Sequence, residues 1–260
     1  MSQNSQKPFK ERIYQSSRSN KSRIVLAVDV NEGSPKQLTN HATALFEQTR
    51  ESICAVKFGR QTILGIGTRR TSQLLRKIRA SGFATIVDDK LNDIAETNAA
   101  ITRAYHKLGF DGITVNPFVG WQGGLETTFK LAHEWRMGLL ALVYMSHPGG
   151  SEGYGQKVLP NTRSKRTRPE FEIFAERAIA WGADGAIVGA TRPNIVRRAK
   201  QILGRKVPIF SPGVGTQGGE IARSLKAGTD YFIVGRSITT AKNPGKVAEE
   251  FAKASVTSGP

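Results

Sequence analysis

The segment 86–98 of this 260-residue chain reads IVDDKLNDIAETN, and the predicted fold is built outward from it. An apolar run, 83–87, leads into the segment and is typical of a buried strand. The charged residues that follow it are Asp88, Asp89, Lys90 and Asp93. Charges in a core are costly unless they are paired, solvated at the end of a strand, or used in chemistry. We therefore predict a strand whose carboxyl end opens onto a polar site.

The same order of strand, polar loop and helix is predicted repeatedly along the chain. Eight short apolar runs rich in β-branched residues predict strands at 24–28, 53–58, 84–87, 112–115, 139–144, 185–188, 207–210 and 231–234. Eight stretches with helical spacing predict helices at 35–48, 71–81, 94–108, 125–136, 169–181, 193–203, 219–227 and 244–254. Ser34 is a plausible N-cap for the first of these helices, and Pro35 suits its first position.

Strands that are buried on both faces and alternate with helices imply a parallel sheet. Eight such units in about 240 residues predict an α/β fold, a (β/α)8 TIM barrel. A doubly wound open sheet is the competing fold, but the segment AVDVNEGSP after the first strand lacks its glycine-rich fingerprint. We predict one barrel domain over residues 23–260, preceded by a basic, flexible tail over residues 1–22.

Composition predicts a soluble cytoplasmic protein. The hydrophobic fraction is 38% and the charged fraction 23%, and no apolar run approaches the length of a membrane span. The polar, basic N-terminus lacks the apolar centre of a signal peptide. The single cysteine, Cys54, cannot form an internal disulfide and is expected to be a buried, inert thiol.

The formal net charge of +17 favours anionic partners. Basic residues concentrate in the tail 1–22 and in the segment 156–168, neither of which has the interleaved aromatics of a base-stacking platform. A solvated tail and loop explain this pattern, and weak, non-specific affinity for nucleic acid is the alternative.

In a TIM barrel, chemistry occurs at the carboxyl ends of the strands. The polar residues predicted there include Asp29, Lys57, Asp88 and Lys90. Residues two apart on a strand point the same way, so Asp88 and Lys90 should share the mouth with Asp29 and Lys57, each charge beside an opposite one. A purely structural ring of ion pairs is the alternative. Asp89 should point the other way, toward the helices or the rim.

Two loops on the same face predict a phosphate site. PGVGTQGGE, 212–220, follows the seventh strand and VGRS, 234–237, follows the eighth. Glycines let the backbone approach a ligand, and TIM-barrel phosphate sites are commonly built from these two loops. A glycine-rich turn beside a solvated arginine is the alternative.

These motifs, in this order, resemble the orotidine 5′-monophosphate decarboxylase family. The matching stretches are LAVDV, VKFG, DDKLNDIAET, MSHPGG, PGVGTQGG and VGRSI. The resemblance runs from about residue 23 to the C-terminus. Sister phosphosugar enzymes are similar at D-x-K-x-x-D, whereas SHPG and PGVGTQGG resemble the orotidylate enzymes in particular. The chain departs from the family pattern at Asp89, where an apolar residue is usual, and in the long basic segment 156–168.

The resemblance implies decarboxylation of orotidine 5′-monophosphate to uridine 5′-monophosphate, the last step of de novo UMP synthesis, without metal or organic cofactor. Lys90 would protonate C6, and Asp88 would face the substrate carboxylate. Lys57 and Asp29 would orient the network and bind ribose hydroxyls. The family pattern also implies a homodimer in which Asp93, with Thr97 beside it, reaches the neighbouring subunit's site. The remaining substrate-binding residues implied are Ser146, Pro212, Gly213, Gln217, Gly235 and Arg236.

Two other functions stay open on the sequence. One is a metal-dependent phosphosugar decarboxylase or aldolase of the sister families. The other is a basic barrel that binds nucleic acid without catalysis. The segment GSEGYGQKV, 150–158, suits either a mobile lid or an ordinary surface loop.

Overall fold

Eight parallel strands close into a barrel in the computed structural model, which describes residues 7–160, 165–215 and 218–257. In chain order the strands are β1 (Ile24–Val28), β2 (Ala55–Gly59), β3 (Ala84–Leu91), β4 (Gly112–Val115), β5 (Gly138–Tyr144), β6 (Lys157–Val158), β7 (Arg168–Pro169), β8 (Gly185–Val188), β9 (Ile209–Pro212) and β10 (Tyr231–Val234). The barrel order is β1-β2-β3-β4-β5-β8-β9-β10, with β10 pairing back onto β1. The short strands β6 and β7 form a separate antiparallel pair.

Helices follow the barrel strands and surround them. In chain order they are α1 (Phe9–Ser19), α2 (Pro35–Thr49), α3 (Arg60–Ile66), α4 (Thr68–Ala80), α5 (Ala95–Leu108), α6 (Glu126–Glu134), α7 (Gly150–Gly153), α8 (Glu170–Ala180), α9 (Pro193–Leu203), α10 (Gly218–Ala227), α11 (Arg236–Thr239) and α12 (Pro244–Val256). The TIM barrel and its single domain are confirmed. All eight predicted strands and all eight predicted helices are present, with shifted ends. The sequence reading missed α1, α3, α7 and α11.

The first predicted helix, α2, begins at Pro35 with Ser34 as its N-cap, as expected. The Ser34 side chain accepts a hydrogen bond from the backbone N–H of Gln37, and the Gln37 side chain accepts one from the N–H of Ser34, at 2.8 Å. This reciprocal pair is a capping box, which satisfies two donors at the helix start. Pro35 occupies the first turn, where its fixed φ favours the helix.

The core has two apolar layers because successive side chains of a strand point to opposite faces. In β1, Ile24, Leu26 and Val28 pack outward against the helices. Val25 and Ala27 pack inside the barrel, where Cys54 also lies fully buried. Burial raises the pKa of the Cys54 thiol, which keeps it protonated and confirms the expected buried position.

The helix α1 covers the amino-terminal end of the barrel, which we call the base. Phe9 and Ile13 are 2% and 1% exposed and join the apolar cluster inside the barrel. Gly112 and Gly138 pack directly under the Phe9 ring, so a Cβ at either position would overlap it. The expectation of a flexible tail is therefore wrong for residues 9–19. Phe9 and Ile13 lie four residues apart, on one face of a helix, and that face inserts into the base.

No helix within the described ranges has the length and apolar character needed to cross a bilayer.

Candidate active site

A cavity of about 790 Å³ opens at the carboxyl ends of the barrel strands, the face we call the mouth. Most of the predicted site residues line this cavity. They are Asp29, Lys57, Asp88, Lys90, Ser146, Pro212, Gly213, Gly235 and Arg236. Gln217 lies outside the described residues. The structure thus brings together side chains that are up to 207 positions apart in the sequence, from 29 to 236.

Asp88 is the centre of the charged cluster in this cavity. Lys57 Nζ donates to Asp88 Oδ2 at 2.6 Å, and Lys90 Nζ donates to Asp88 Oδ1 at 2.7 Å. Thr114 Oγ1 adds a third hydrogen bond, at 3.0 Å to Oδ1. Lys57 is 5% exposed, so this ion pair is well shielded from water. One carboxylate is therefore held between two ammonium groups and a hydroxyl.

The two lysines determine the protonation state of Asp88. Burial alone would raise its pKa, but the positive charges of Lys57 and Lys90 outweigh burial and hold the pKa well below the usual range. Asp88 is consequently an anion throughout the neutral pH range. The site presents a fixed negative charge flanked by two cations.

The backbone at Lys90 is unusual for a strand. Its φ is 58°, in the left-handed region that non-glycine residues rarely adopt, and the pairing of β3 with β4 shifts register between Val87 and Leu91. The Lys90 N–H donates to Thr114 Oγ1 at 2.8 Å, so one threonine holds both the Lys90 backbone and the Asp88 carboxylate. The prediction that Asp88 and Lys90 share the mouth is confirmed, but a bulge, not simple alternation, positions Lys90.

Asp29 does not extend the ring of alternating charges. It lines the cavity, and its Oδ1 accepts a hydrogen bond from Gln61 Nε2 at 3.1 Å. No lysine within the described ranges forms an ion pair with it. A Cβ at Gly59 would overlap the Gln61 amide, so this glycine makes room for the Gln61–Asp29 contact. The charged network is smaller than predicted and consists of Lys57, Asp88 and Lys90.

Asp93 and Thr97 lie away from the cavity of their own chain. The exposed Asp93 accepts a hydrogen bond from the Ile94 N–H at 2.7 Å, and its own N–H donates to Asn98 Oδ1 at 3.2 Å. Asn98 is fully buried and fixes this turn. Ile94 itself is 61% exposed, which leaves an apolar side chain on the surface beside Asp93.

Asp89 points toward the helices, as predicted, and is 5% exposed. Its Oδ1 lies 3.2 Å from Arg60 Nε and accepts a hydrogen bond from the Tyr105 hydroxyl at 3.3 Å. Burial raises the pKa of Asp89, and the Arg60 guanidinium only partly opposes this. The Asp89 side chain therefore links α3 and α5 to β3, at the position between Asp88 and Lys90.

Close backbone packing shapes the phosphate side of the cavity. Gly213 has φ 83°, and a Cβ there would lie only 2.9 Å from Ser146 Cβ. The Gly215 N–H donates to the Glu220 carboxylate, which ties the loop to α10. Arg236 begins α11 just after β10 and lines the same cavity as Ser146 and Gly213. Loop glycines and an arginine thus meet at the mouth, as the sequence predicted.

The segment 150–158, which follows β5, forms regular secondary structure at both of its ends. Residues Gly150–Gly153 form α7, and the Tyr154 carbonyl accepts a hydrogen bond from the Phe171 N–H at 2.9 Å. The pair of β6 and β7 then joins the segment to the start of α8. Whether this segment moves as a lid stays a prediction.

Sequence reasoning missed Thr114 and Gln61. Thr114 had a signal, because it is the polar residue of β4 between Ile113 and Val115, which pack outward. Gln61 had none, since α3 was not predicted. Within the described part of the chain, no three His, Cys, Asp or Glu side chains group closely enough to hold a metal ion.

A closed parallel barrel with a lysine–aspartate–lysine cluster and a glycine-lined arginine at its mouth defines a TIM-barrel enzyme for an anionic substrate. Residues 22–251 match the model of the orotidine 5′-phosphate decarboxylase / HUMPS family, and the chain belongs to this family. The resemblance read from the sequence motifs is thereby confirmed.

Relatives and solved structures agree with the family. The orotidine 5′-phosphate decarboxylase of Methanosarcina mazei is 33% identical over 231 residues, covering 88% of this chain and 93% of the relative. That of Pyrococcus abyssi is 34% identical over 228 residues, covering 87% and 96%. The crystal structure of the Pyrococcus horikoshii decarboxylase superposes with a TM-score of 0.73 at 31% identity, covering 89% of this chain and 98% of that one. The Methanocaldococcus jannaschii enzyme complexed with the inhibitor BMP gives 0.75 at 27% identity, covering 90% and 98%.

Proposed function

We propose that this chain decarboxylates orotidine 5′-monophosphate to uridine 5′-monophosphate and carbon dioxide, in pyrimidine synthesis. The observation that carries the proposal is Asp88 held between Lys57 and Lys90 at the mouth of the barrel. Family membership supports the reaction, since the curated relatives at 31–34% identity bear this name.

The reaction needs a proton donor beside a carbon that becomes electron-rich. When the bond between C6 and the carboxylate breaks, its electron pair remains on C6 and carbon dioxide leaves. The Lys90 ammonium both stabilises this pair and donates a proton to C6. Lys90 Nζ lies 2.7 Å from Asp88 Oδ1, so the donor is already held beside the carboxylate that would face the leaving group.

Asp88 would raise the free energy of the bound substrate more than that of the transition state. It stays ionised because the two lysines lower its pKa, so it would repel the substrate carboxylate. That repulsion falls as the carboxylate becomes neutral carbon dioxide. Only an interaction that is more favourable in the transition state speeds the chemical step, and this one has that property.

The other cavity residues would bind the nucleotide. Arg236 and Gly235, with the 212–220 loop and Gln217 within it, would hold the 5′-phosphate. Pro212 and Gly213 would shape the same side, Ser146 would contact the pyrimidine, and Asp29 would contact ribose hydroxyls. Phosphate binding far from the bond that breaks can still assist the chemistry by organising the charged cluster.

A homodimer would complete the site. Asp93 and Thr97 are outside their own chain's cavity and beside the exposed Ile94. We assign both to the active site of a second copy, where Asp93 would extend the partner's charged cluster. A cytoplasmic location fits this reaction and is part of the proposal.

The test of the reaction is the ultraviolet absorbance change when the purified protein meets orotidine 5′-monophosphate in chelator-treated buffer. We expect rapid conversion by the native protein and a loss of at least about a hundredfold in Lys90→Ala, because the proton donor is gone. Lys130→Ala, which removes an exposed lysine paired with Glu126, is the matched control and should keep full activity.

A Lys90→Ala protein that keeps most of its activity would refute the proton-donor assignment. Absence of conversion by concentrated native protein, together with magnesium-dependent turnover of a ketose phosphate, would instead support a sister phosphosugar enzyme.

Arg236→Ala tests the phosphate assignment separately. Removing a charge-assisted contact of about 1.5–3 kcal/mol should weaken binding of uridine 5′-monophosphate roughly 10- to 100-fold. Binding of uridine, which lacks the phosphate, should be unchanged. Arg197→Ala, an exposed arginine on α9, is the control and should bind both as the native protein does. Equal losses for nucleotide and nucleoside would argue against a phosphate contact.

A further inference from the structure

A second cavity, of about 390 Å³, lies at the base of the barrel, at the end opposite the mouth. Its walls come from α1 and the chain just before it, from the ends of α4, α5 and α6, and from the residues just before β4 and β5. Four of its lining side chains are cationic, Lys7, Arg12, Arg79 and Arg136, against the two carboxylates of Asp111 and Glu134. The proposed reaction uses none of these residues.

The charges deepest in this cavity are not balanced. Asp111 Oδ1 pairs with Arg12 Nη1 and lies 3.0 Å from Arg79 Nε. Asp111 Oδ2 accepts hydrogen bonds from the Thr85 N–H and hydroxyl, both at 2.9 Å. One carboxylate, with both oxygens already occupied, thus faces two guanidinium groups. The cluster keeps one net positive charge in a largely buried position.

Both guanidinium groups also have a donor without an acceptor. Arg12 is 3% exposed, and its Nη2 donates to the Phe83 carbonyl oxygen at 2.9 Å. Neither its Nε nor that of Arg79 finds a hydrogen-bond acceptor among the described residues. The 3.0 Å approach of Arg79 Nε to Asp111 is an ion pair whose direction does not give a hydrogen bond. Buried donors without acceptors are rare in folded proteins, and a bound ion is one of the usual reasons for them.

The aromatic wall of the cavity is formed by His106 and Trp135. His106 stacks on Trp135 with ring centroids 4.4 Å apart and an interplanar angle of 21°. The pKa of His106 is lowered, first by burial and then by the nearby charge of Arg79. A neutral imidazole therefore adds no charge of its own, and the excess of cations comes from the arginines.

We propose that this base cavity is a binding site for a phosphate-class oxyanion, with Arg12 and Arg79 as its principal ligands. The tetrahedral oxygens of phosphate can accept from several guanidinium N–H groups at once and would offset the net positive charge of the cluster. The anion could be inorganic phosphate or the phosphate of a nucleotide, whose base would meet the Trp135 wall. Because Arg12 belongs to α1, occupancy would fix that helix to the barrel.

The experiment measures thermal unfolding against phosphate concentration in the Arg236→Ala protein, which lacks the proposed phosphate contact at the mouth. Sodium chloride at equal ionic strength is the reference. A ligand that binds only the folded state raises the unfolding midpoint saturably. We expect such a rise with phosphate, and at least tenfold weaker phosphate binding when Arg79→Gln is added. The matched control is Arg76→Gln, one turn away on α4, whose guanidinium donates to Ser72 Oγ at 3.0 Å and lines a different groove.

A second variant distinguishes the loss of phosphate binding from a general loss of stability in Arg79→Gln. Arg79→Lys keeps a positive charge beside Asp111 but removes the Nε donor, so it should fold and still bind phosphate less tightly. Comparing inorganic phosphate with adenosine and uridine 5′-monophosphates identifies the source: tighter nucleotide binding that is lost in Trp135→Leu indicates a nucleotide. The proposal is overturned if phosphate and chloride act alike, or if Arg79→Gln and Arg79→Lys bind phosphate as tightly as Arg76→Gln does.

Discussion

Asp88 and Asp89 are adjacent carboxylates whose pKa values move in opposite directions. Asp88 meets two ammonium groups, which lower its pKa despite burial. Asp89 meets one guanidinium, that of the largely exposed Arg60, and burial raises its pKa. Alternation along β3 produces this contrast, since one side chain faces the mouth and the next faces the helices. Ionisation of Asp88 therefore stabilises the folded state, whereas ionisation of Asp89 destabilises it.

The first prediction concerns Asp89→Asn. The folded-state pKa of Asp89 is raised, so its destabilising effect is absent below the unfolded pKa of about 3.9 and grows as pH rises through the folded value. The melting temperature of Asp89→Asn should therefore equal or exceed that of the native protein at pH 7, with the advantage disappearing near pH 4. Turnover should fall roughly tenfold, because the backbone between Asp88 and Lys90 loses its link to Arg60.

Glu172→Gln is the control, and its expected effect on the melting temperature has the opposite sign. Glu172 is also buried, but hydrogen bonds from Arg198 and Arg168 outweigh burial and lower its pKa. Its stabilising effect is present above the unfolded pKa and is lost as pH falls, so Glu172→Gln should melt lower than native at pH 7 and keep its turnover. A lower melting temperature with unchanged turnover in Asp89→Asn would show that Asp89 is only structural.

The placement of these residues at the mouth was predictable from the sequence, but their backbone conformation and hydrogen-bond partners were not. Asp88 could be assigned to the mouth because a two-residue period fixes direction on a strand. The same period predicted Lys90 beside it, although a bulge is what positions Lys90 there. The left-handed Lys90 could not be foreseen, because it depends on a hydrogen bond to Thr114 of the neighbouring strand β4. Asp29 was expected to lie beside an opposite charge at the mouth, but Gln61 from α3 donates a hydrogen bond to it instead.

Among the secondary-structure elements, α1 differs most from its predicted form. Its sequence, FKERIYQSSRS, has few apolar residues, and composition therefore favoured a solvated tail. Its burial depends on a site that only the closed barrel creates, under the strands at Gly112 and Gly138. The eight main helices were predictable because each carries a full apolar face over two or more turns.

The second prediction is made for this helix. Phe9→Ala should lower the free energy of unfolding by about 3–5 kcal/mol, the usual range for removing a buried aromatic ring. Chemical denaturation monitored by circular dichroism measures this change. Tyr14→Ala, on the same helix but 56% exposed, should change it by less than about 0.5 kcal/mol. Equal, small effects of both substitutions would mean that α1 does not contribute to stability.

At the scale of the whole molecule, the proposed homodimer gives the third prediction. Lys90→Ala and Asp93→Ala proteins should each be nearly inactive alone. After mixing under conditions that exchange subunits, a two-fold dimer restores one native site per mixed dimer, so turnover should return to about a quarter of native. The absorbance assay measures this recovery.

Recovery occurs only if Lys90 and Asp93 of one site come from different subunits. If both act within one chain, the mixture should stay inactive. Mixing Lys90→Ala with Asp88→Ala, two residues of the same chain's cavity, is the matched control and should restore nothing.

The net charge of +17 is a property of the molecule that the proposed reaction uses only in part. The mouth holds three of these cations, and α4 carries five more without a carboxylate of its own. Weak, salt-dependent affinity for nucleic acid stays a prediction on this basis.

The position of α1 also determines where the polypeptide enters and leaves the barrel. The Arg23 N–H at the start of β1 donates to Ser255 Oγ near the end of α12, at 3.0 Å, so both outer helices reach the base. Appended domains, purification tags or a surface tether joined before α1 or after α12 would therefore emerge on the side away from the substrate entrance. This architecture suits immobilised or fused forms of the enzyme, in which diffusion of small molecules into the mouth stays unobstructed.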